Sequence, residues 1–145
     1  MGRAILETPI NRNPATGEQL LSPAFTSQDE TDLAIERAEQ AFHVWSKKTP
    51  LERSRILRKA AQLLHLRNSA IAEQETRDTG KPFSETSTVD VQTGAEVLEY
   101  YANRAAGGGL NGEQIQLRAN ARITTTKEPL GVCVGIGAWN YPIQM

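Results

Sequence analysis

Apolar residues spaced three or four positions apart predict helices in the first two thirds of the chain. Ser27 stands three residues before Glu30, which is the spacing of a helix-capping box, and the apolar residues that follow share one helical face. We expect that face to be buried. It consists of Ala34, Ala38, Ala41, Phe42 and Trp45.

A second helix start is encoded by Thr49, Pro50 and Glu52. Threonine is a good cap, proline is tolerated at the first helical position, and the glutamate can reach back to the cap. The helix that follows carries basic residues mostly on one side and an apolar stripe on the other. The residues of this stripe, which we also expect to be buried, are Leu57, Ala60, Ala61 and Leu64.

Two more helices are predicted before residue 110. The third runs from about 69 to 77 and is closed by Thr79 and Gly80, and the fourth runs from about 82 to 106 and is closed by three glycines. The apolar pattern of the fourth helix predicts which residues face inward. These are Val91, Ala95, Leu98, Tyr101 and Ala102.

After residue 110 the pattern changes from helical to alternating. Ile115 and Leu117 alternate with polar residues and a β-branched run follows at 123–126, which predicts a hairpin. An apolar run at 132–136 predicts a short buried strand, and residues 11–23 predict a turn, a short strand and a second turn. Because a buried strand needs neighbours on both sides, we expect the chain to be part of a larger α/β fold.

The charge and the cysteine content argue against several classes of protein. The 145 residues carry 16 Lys and Arg against 17 Asp and Glu, with the signs interspersed, which argues against nucleic-acid and membrane partners. A single cysteine forms no internal disulfide, and two histidines, His43 and His65, are a poor basis for a metal site. No stretch has the pattern of a membrane span or a targeting signal. We therefore expect a cytoplasmic protein.

The most suggestive short motif follows the predicted strand near the end of the chain. A dinucleotide-binding G-x-G-x-x-G that began at Gly135 and Gly137 would need glycine or alanine at position 140, which is Asn140. The motif alone therefore favours a structural role for the glycines. The Asn140 amide suits two roles, as half of an oxyanion hole or as the cap of a segment after Pro142, and spacing alone favours the cap.

Two other residues have reactive or ligating groups but also a simpler interpretation. Cys133 lies in the middle of the predicted strand with no basic residue within four positions, so we interpret it as a small buried apolar residue and not as a nucleophile. Asp78 precedes Thr79 and Gly80 at a helix end, where it fits either an ion site or a plain cap, and the cap is the commoner arrangement.

Seven motifs follow one another along the chain, from about residue 11 to its end. They are NPATGE at 13–18, AFHVWS at 41–46, LERSRILRKAAQLL at 51–64, ETRDTGKP at 75–82, SETSTVD at 84–90, LEYYA at 98–102 and EPLGVCVGIGAWNYPIQ at 128–144. Together they resemble the N-terminal part of an NAD-dependent aldehyde dehydrogenase. Within that family the chain most resembles the betaine aldehyde and trimethylaminobutyraldehyde dehydrogenases.

The resemblance implies roles for residues of the W-N-Y-P motif. Asn140 corresponds to the amide that stabilises the oxyanion of a thiohemiacetal, which reverses the preference for a cap. Tyr141 corresponds to one wall of an aromatic box, which suits a trimethylammonium group because that group has no hydrogen-bond donor and binds well to a π face. The residues that would lie along NAD are Ile136, Gly137, Ala138 and Trp139.

The resemblance also implies a monovalent cation, for which K⁺ is the candidate. Asp78 corresponds to one of its ligands, together with a backbone carbonyl near Asn11 or Arg12. The family's nucleophilic cysteine, its general base and its adenosine-binding lysine all follow W-N-Y-P. The resemblance therefore implies that this chain is a truncated and inactive portion of a homo-oligomeric enzyme that acts on a small-molecule aldehyde.

The implied fold is α/β and corresponds to the N-terminal part of the aldehyde dehydrogenase fold. Helices would pack on an incomplete, doubly wound nucleotide-binding sheet, beside a β-hairpin of the oligomerisation arm. Residues 1–10 would be an extension, 11–110 the mostly helical part of the cofactor-binding domain, 111–128 the arm hairpin, and 129–145 the first strand of the nucleotide sheet with the W-N-Y-P motif.

Two competing functions come from other classes of protein. The first is a non-catalytic protein that associates with full-length aldehyde dehydrogenase subunits through the 111–128 hairpin. The second is a free-standing nucleotide-binding module, which the missing phosphate-binding glycines argue against. The favoured hypothesis is the truncated dehydrogenase.

Overall fold

The computed structural model describes residues 10–144, so the predicted extension at 1–10 lies almost wholly outside the described residues. All four predicted helices and the hairpin are confirmed. The elements are α1 (Gln28–Trp45), α2 (Pro50–Leu66), α3 (Asn68–Thr79), α4 (Phe83–Glu85), a π-helical turn (Thr86–Asp90), α5 (Val91–Ala106), β1 (Gln114–Arg118) and β2 (Ala121–Thr124). Within residues 10–144, no helix has the length and apolar character needed to cross a bilayer.

Both predicted capping boxes are present. The Glu30 backbone N–H donates to the Ser27 hydroxyl at 3.2 Å, and the Ser27 N–H donates to the Glu30 carboxylate at 2.8 Å. Thr49 and Glu52 form the same reciprocal pair at 3.3 and 2.7 Å. Because these hydrogen bonds stabilise the ionised carboxylates, they lower the pKa of Glu30 and of Glu52.

The helical layer is held together mainly by the packing of α2 against α5. The predicted stripe of α2 is confirmed, since Ala61 is fully buried and Leu57, Ala60 and Leu64 are half-buried. Small side chains at such an interface allow two helix axes to approach closely. The buried apolar residues of the described chain are almost all small: Ala61, Ala72, Val91, Ala95, Ala102 and Ala105.

Two predictions of burial in the helices are wrong. Helix α1 forms as predicted, but none of its residues is buried and Trp45 is 38% exposed. No other helix or strand among residues 10–144 packs closely against α1, so its apolar face has nothing to be buried against. Tyr101, which was predicted to face inward, is 59% exposed and lies edge-on to Tyr100. The interface between α2 and α5 is filled by small side chains, and the Tyr101 ring lies outside it.

The π-helical turn between α4 and α5 was not predicted from the sequence. Thr86 and Asp90, at its two ends, are fully buried. The Thr86 hydroxyl donates to the Ala72 carbonyl at 3.1 Å and lies 2.8 Å from the Thr76 hydroxyl, which ties the turn to α3. Turns of this type occur frequently at functional sites.

The hairpin has the predicted antiparallel pairing, with Ile115 opposite Ile123 and an irregularity between Gln116 and Arg118. Every residue of β1 is exposed. Within the described residues the sheet contains only these two strands, so each strand has an unpaired edge.

The strand predicted at 132–136 is absent from the described residues. Val134 is 77% and Ile136 94% exposed, which also makes the predicted burial wrong. A strand requires a neighbour for its backbone hydrogen bonds, and the hairpin strands pair only with each other. The turn, strand and turn predicted at 11–23 reduce to a single antiparallel bridge between Arg12 and Gln19 around a turn.

The end of α3 provides a test of the packing between that helix and the N-terminal turn. Gly80 has φ 77°, and a Cβ at this position would lie 2.6 Å from Pro14 Cγ. Gly17 has a similar φ of 75°, but a Cβ there would meet nothing within 4 Å. We expect Gly17→Ala to lower the free energy of unfolding by about 1 kcal/mol because of its backbone conformation. Gly80→Ala should lower it further, because Pro14 must also move. Urea denaturation measures both variants, and equal losses would contradict the close approach of Pro14.

Candidate functional site

Lys81 is the centre of a polar cluster at the junction of α3 and α4. Its ammonium group donates to Asp90 Oδ2 at 2.5 Å and lies 3.0 Å from Glu85 Oε1. The side chain of Lys81 is 16% exposed and that of Asp90 is fully buried. Burial alone would lower the pKa of Lys81, but its hydrogen bonds to Asp90 and Glu85, with their negative charges, raise the pKa instead. The lysine therefore remains charged and compensates the buried aspartate.

Glu75, on α3, is a second buried acid in the same cluster. It is 5% exposed, and neither of its carboxylate oxygens makes a well-formed hydrogen bond, although Asp90 and the Ile143 N–H lie beside them. Burial, and then the negative charge of Asp90, raise the pKa of Glu75 more than Lys81 lowers it. Glu75 therefore holds its proton more tightly than an exposed glutamate.

The cluster contacts the terminal segment, which we define as residues 129–144. The Lys81 Nζ atom lies 3.8 Å from the centroid of the Tyr141 ring, which is the geometry of a cation–π interaction. A Cβ at Gly94 would lie 2.8 Å from the Ile143 carbonyl oxygen, so the glycine allows the segment to approach α5. The Gln144 N–H donates to the Tyr141 carbonyl at 3.2 Å and closes a turn. Tyr141 and Ile143 are thus points of attachment of the terminal segment to the helices.

Asn140, the residue predicted to stabilise an oxyanion, directly precedes this attachment. It is exposed. The residues predicted to lie along NAD form an open stretch without charge: Ile136 is 94% and Trp139 88% exposed, Gly137 is exposed, and Ala138 is half-buried. Asn140, Tyr141 and this stretch are consecutive in the sequence and therefore form one continuous segment.

Cys133 is exposed, so the prediction that it is buried is wrong. It was expected inside a strand, and the strand is not formed. The hydrogen bond of its thiol within the described residues is donated to the Gly131 carbonyl, with the two atoms 3.8 Å apart. A backbone carbonyl provides no base that would activate a nucleophile.

Asp78 lies next to Asn11. Asp78 Oδ1 accepts a hydrogen bond from Asn11 Nδ2 at 2.7 Å, and the Asn11 carbonyl accepts one from the Leu20 N–H at 2.9 Å. Both residues are near the surface. In the part of the chain that the structure describes, no group of three or more His, Cys, Asp or Glu side chains is arranged so that it could hold a metal ion.

The polar cluster of Glu75, Lys81, Glu85 and Asp90 was missed by sequence reasoning. No pair among the acidic residues could be picked out from the sequence, since acidic residues occur along every helix. A weak signal for the burial of Asp90 was present. Asp90 stands four residues before Gly94, so the two share a helical face, and both Gly94 and the adjacent Val91 are buried. The unrecognised π turn obscured this signal by changing the helical spacing between Lys81 and Asp90.

Comparison with known proteins assigns the whole described region to one family. A family model described as "Aldehyde dehydrogenase family" matches residues 6–145. The match begins before residue 11, where the resemblance in motifs begins, and it includes the terminal segment.

Solved structures of aldehyde dehydrogenases match the fold over almost the whole chain. An indole-3-acetaldehyde dehydrogenase from P. syringae, in complex with NAD⁺, is 30% identical, with a TM-score of 0.85 over 100% of this chain and 29% of its own. A betaine aldehyde dehydrogenase from Staphylococcus aureus, in complex with NAD⁺, is 29% identical, with a TM-score of 0.81 over 94% of this chain and 27% of its own.

A third structure holds the phosphorylated cofactor. An NADP-dependent glyceraldehyde-3-phosphate dehydrogenase from Bacillus halodurans, complexed with NADP, is 29% identical, with a TM-score of 0.83 over 94% of this chain and 29% of its own. The chain therefore spans less than a third of the length of each of these three proteins. The identities to the three proteins are nearly equal, so they do not separate one aldehyde substrate from another.

The buried acid Glu75 makes a prediction about stability and pH. Because its pKa is raised above the ordinary value of 4.5, its contribution to stability is complete below that pH and is lost as the pH rises through the raised pKa. We expect Glu75→Gln to abolish this loss, so that the variant gains stability relative to the wild type as the pH rises above about 4.5. Urea unfolding at a series of pH values measures the difference. The control is Glu73→Gln, at an exposed position of α3. A difference between wild type and Glu75→Gln that does not change with pH would contradict the prediction.

Proposed function

Because the chain belongs to the aldehyde dehydrogenase family, we propose that it forms the N-terminal part of an enzyme that oxidises an aldehyde to a carboxylate with NAD. The observation that carries the proposal is the W-N-Y-P segment, in which the exposed Asn140 lies next to the Tyr141 attachment and to an open, uncharged stretch. The short share of each relative that the chain covers supports the assignment to one part of the enzyme.

In the proposed reaction, Asn140 acts on the oxygen of the aldehyde. A cysteine thiolate from the remainder of the enzyme adds to the carbonyl carbon, and the carbonyl electrons move to the oxygen, which becomes an oxyanion. The Asn140 N–H donates to that oxygen, where it stabilises charge that is absent from the free aldehyde. Loss of hydride from the same carbon gives a thioester, and water then releases the carboxylate.

The terminal segment fits the cofactor of this reaction. Ile136, Gly137, Ala138 and Trp139 carry no charge, and Ile136 and Trp139 are exposed and available to pack along a dinucleotide. NAD, when bound, supplies the hydride acceptor. The cofactor-bound relatives from P. syringae and S. aureus support a nicotinamide cofactor.

We propose a trimethylammonium aldehyde, such as betaine aldehyde, as the substrate. Tyr141 is 37% exposed, and Lys81 lies over one face of its ring, so the opposite face is the one that a substrate cation would use. Glu85 and Asp90 pair with Lys81 and offset its positive charge, which reduces the repulsion of a second cation. The likeness to a betaine aldehyde dehydrogenase is consistent with this substrate.

Three further parts of the proposal concern a cation, assembly and location. Asp78 would supply the charged ligand for K⁺, and its proximity to Asn11 supports this role. The unpaired edges of the β1–β2 hairpin would pair with a second copy of the enzyme in a homo-oligomer. The single cysteine suits the reducing cytoplasm.

The same hairpin supports a second candidate function, in which the chain is a non-catalytic partner of full-length subunits. All residues of β1 are exposed, and a strand edge is a template for pairing with another chain. The two functions are distinguished by the mass of the native protein, detected in a lysate with an antibody to residues 84–103. A stable 15.9 kDa species that co-purifies with a dehydrogenase favours the second function, whereas a species several-fold heavier favours the first.

Removal of the Asn140 amide tests the proposed function directly. In the complete enzyme we expect Asn140→Ala to lower kcat by about 10²-fold to 10³-fold, with a smaller effect on KM, because the amide stabilises charge that develops only during the reaction. The absorbance of NADH measures the rate with an aldehyde substrate. The control is Gln40→Ala, which removes an exposed amide on α1. Wild-type enzyme without aldehyde-dependent NADH formation, or an Asn140→Ala variant with normal kcat, would contradict the proposal.

The proposed substrate makes a separate prediction for Tyr141. We expect Tyr141→Leu to lower kcat/KM for betaine aldehyde about three- to thirtyfold more than for a neutral isostere that carries a tert-butyl group, because only the cation interacts with the π face. Tyr141→Phe, which retains the π face, should preserve the preference. Equal losses for the two aldehydes would contradict a cationic substrate without affecting the assignment of Asn140.

A further inference from the structure

The orientation of Asn140 depends on the residues that hold its neighbours. From residue 129 to residue 140 the terminal segment forms no strand among the described residues, and most of its side chains are exposed. The next residue after Asn140 is Tyr141, whose ring contacts Lys81 and so attaches the segment to the helical part of the protein. Whatever fixes Tyr141 therefore also limits the directions in which the adjacent amide can point.

Lys81 is itself held in one position. Its ammonium group is bound by two carboxylates, that of Glu85, directly before the π-helical turn, and that of Asp90, at the end of the turn. Asp90 is fully buried, and a buried carboxylate without a counter-charge would be strongly destabilising. Gly80, with φ 77°, ends α3 immediately before Lys81 and so limits the path of its backbone. The lysine thus offers the tyrosine ring a charge with little freedom to move.

The contact between Lys81 and Tyr141 has the geometry and the environment of a strong cation–π interaction. The distance from the ammonium nitrogen to the ring centroid is 3.8 Å, within the range in which the attraction is effective. The Lys81 side chain is largely withdrawn from water, and desolvation strengthens such an interaction. The hydrogen bonds to Asp90 and Glu85 do not prevent it, since an ammonium group has three donors.

We propose that Lys81 is a positioning residue, which holds Tyr141 by a cation–π interaction and thereby orients the neighbouring Asn140 amide. The inference rests on the proposed function, because it assigns to Lys81 an indirect effect on the reaction of Asn140. Lys81 touches neither substrate nor cofactor in this role. Asp90 and Glu85 fix the lysine, and the π-helical turn brings Asp90 to it.

Kinetics of the complete enzyme test the proposal. We expect Lys81→Met to lower kcat about three- to thirtyfold, with KM for NAD nearly unchanged, and we expect Lys81→Arg, which keeps a cation for the ring, to restore most of the loss. The decisive comparison is Lys81→Met in an Asn140→Ala background. Because the lysine acts through the amide, it should lower kcat no further there. An equal loss in both backgrounds, or no loss in the wild-type background, would overturn the proposal.

A second variant separates positioning from folding. Lys81→Met leaves the buried Asp90 without a counter-charge, which itself destabilises the protein, whereas Lys81→Met with Asp90→Asn leaves no buried charge from this pair. We expect the double variant to recover thermal stability but not kcat. Recovery of kcat along with stability would overturn the positioning role. The matched control is Lys59→Met, at an exposed position of α2, which should leave kcat unchanged.

A measurement without substrate reports on the contact itself. Fluorotyrosine incorporated into the complete enzyme gives a fluorine resonance for Tyr141, identified by its absence in Tyr141→Phe. We expect this resonance to shift in Lys81→Met and to return towards its wild-type position in Lys81→Arg. No shift in Lys81→Met would overturn the contact, whether or not the enzyme oxidises aldehydes. If Lys81→Met shifts the resonance but the wild-type enzyme does not oxidise aldehydes, the contact stands and the proposed function is overturned. The role of Lys81 in positioning Asn140 is then overturned with it.

Discussion

The close packing of α2 against α5 is the constraint on which the rest of the structure depends. The interface is filled by residues such as Ala61 and Ala102, which bring the two helices near each other. Because the N-terminal end of α5 also carries Asp90 and Gly94, this packing sets the position of the buried carboxylate and of the surface on which Ile143 rests. The alanines therefore determine where the polar cluster and the terminal segment meet.

Because the charge of Lys81 is compensated within the cluster, Lys81 and Asn140 have different roles in the proposed reaction. Lys81 carries a positive charge, but Asp90 and Glu85 compensate it at short range. Its field at more distant atoms is correspondingly weak. In the proposed reaction, the stabilisation of negative charge on the aldehyde oxygen therefore falls to a neutral amide, Asn140, and the lysine serves the geometry of the site.

The sequence predicted those features that depend on neighbours along the chain. The capping box at Thr49, the helix end at Gly80 and the hairpin all follow from local chemistry, and all are present. Predictions of burial failed where no helix or strand among the described residues packs against the side chains, as on α1 and for Cys133. The polar cluster was missed because its members lie on different elements, which come together only in the folded chain. Their spacing along the sequence follows no single helical period. For Asn140, spacing alone favoured a cap, and only the resemblance to a family suggested a chemical role.

Because of the π-helical turn at Thr86–Asp90, the polar cluster depends on the number of residues in this turn as well as on their types. Each residue advances an α-helix by about 100°, so deletion of one residue from this turn would rotate all that precedes the deletion, Lys81 included, relative to Asp90 and α5 by about that angle. Every side chain of the cluster could be retained and the carboxylate would still miss Lys81. In evolution, insertions and deletions at this position would therefore be selected against more strongly than many substitutions, and a comparison that counts only identical residues would overlook the constraint.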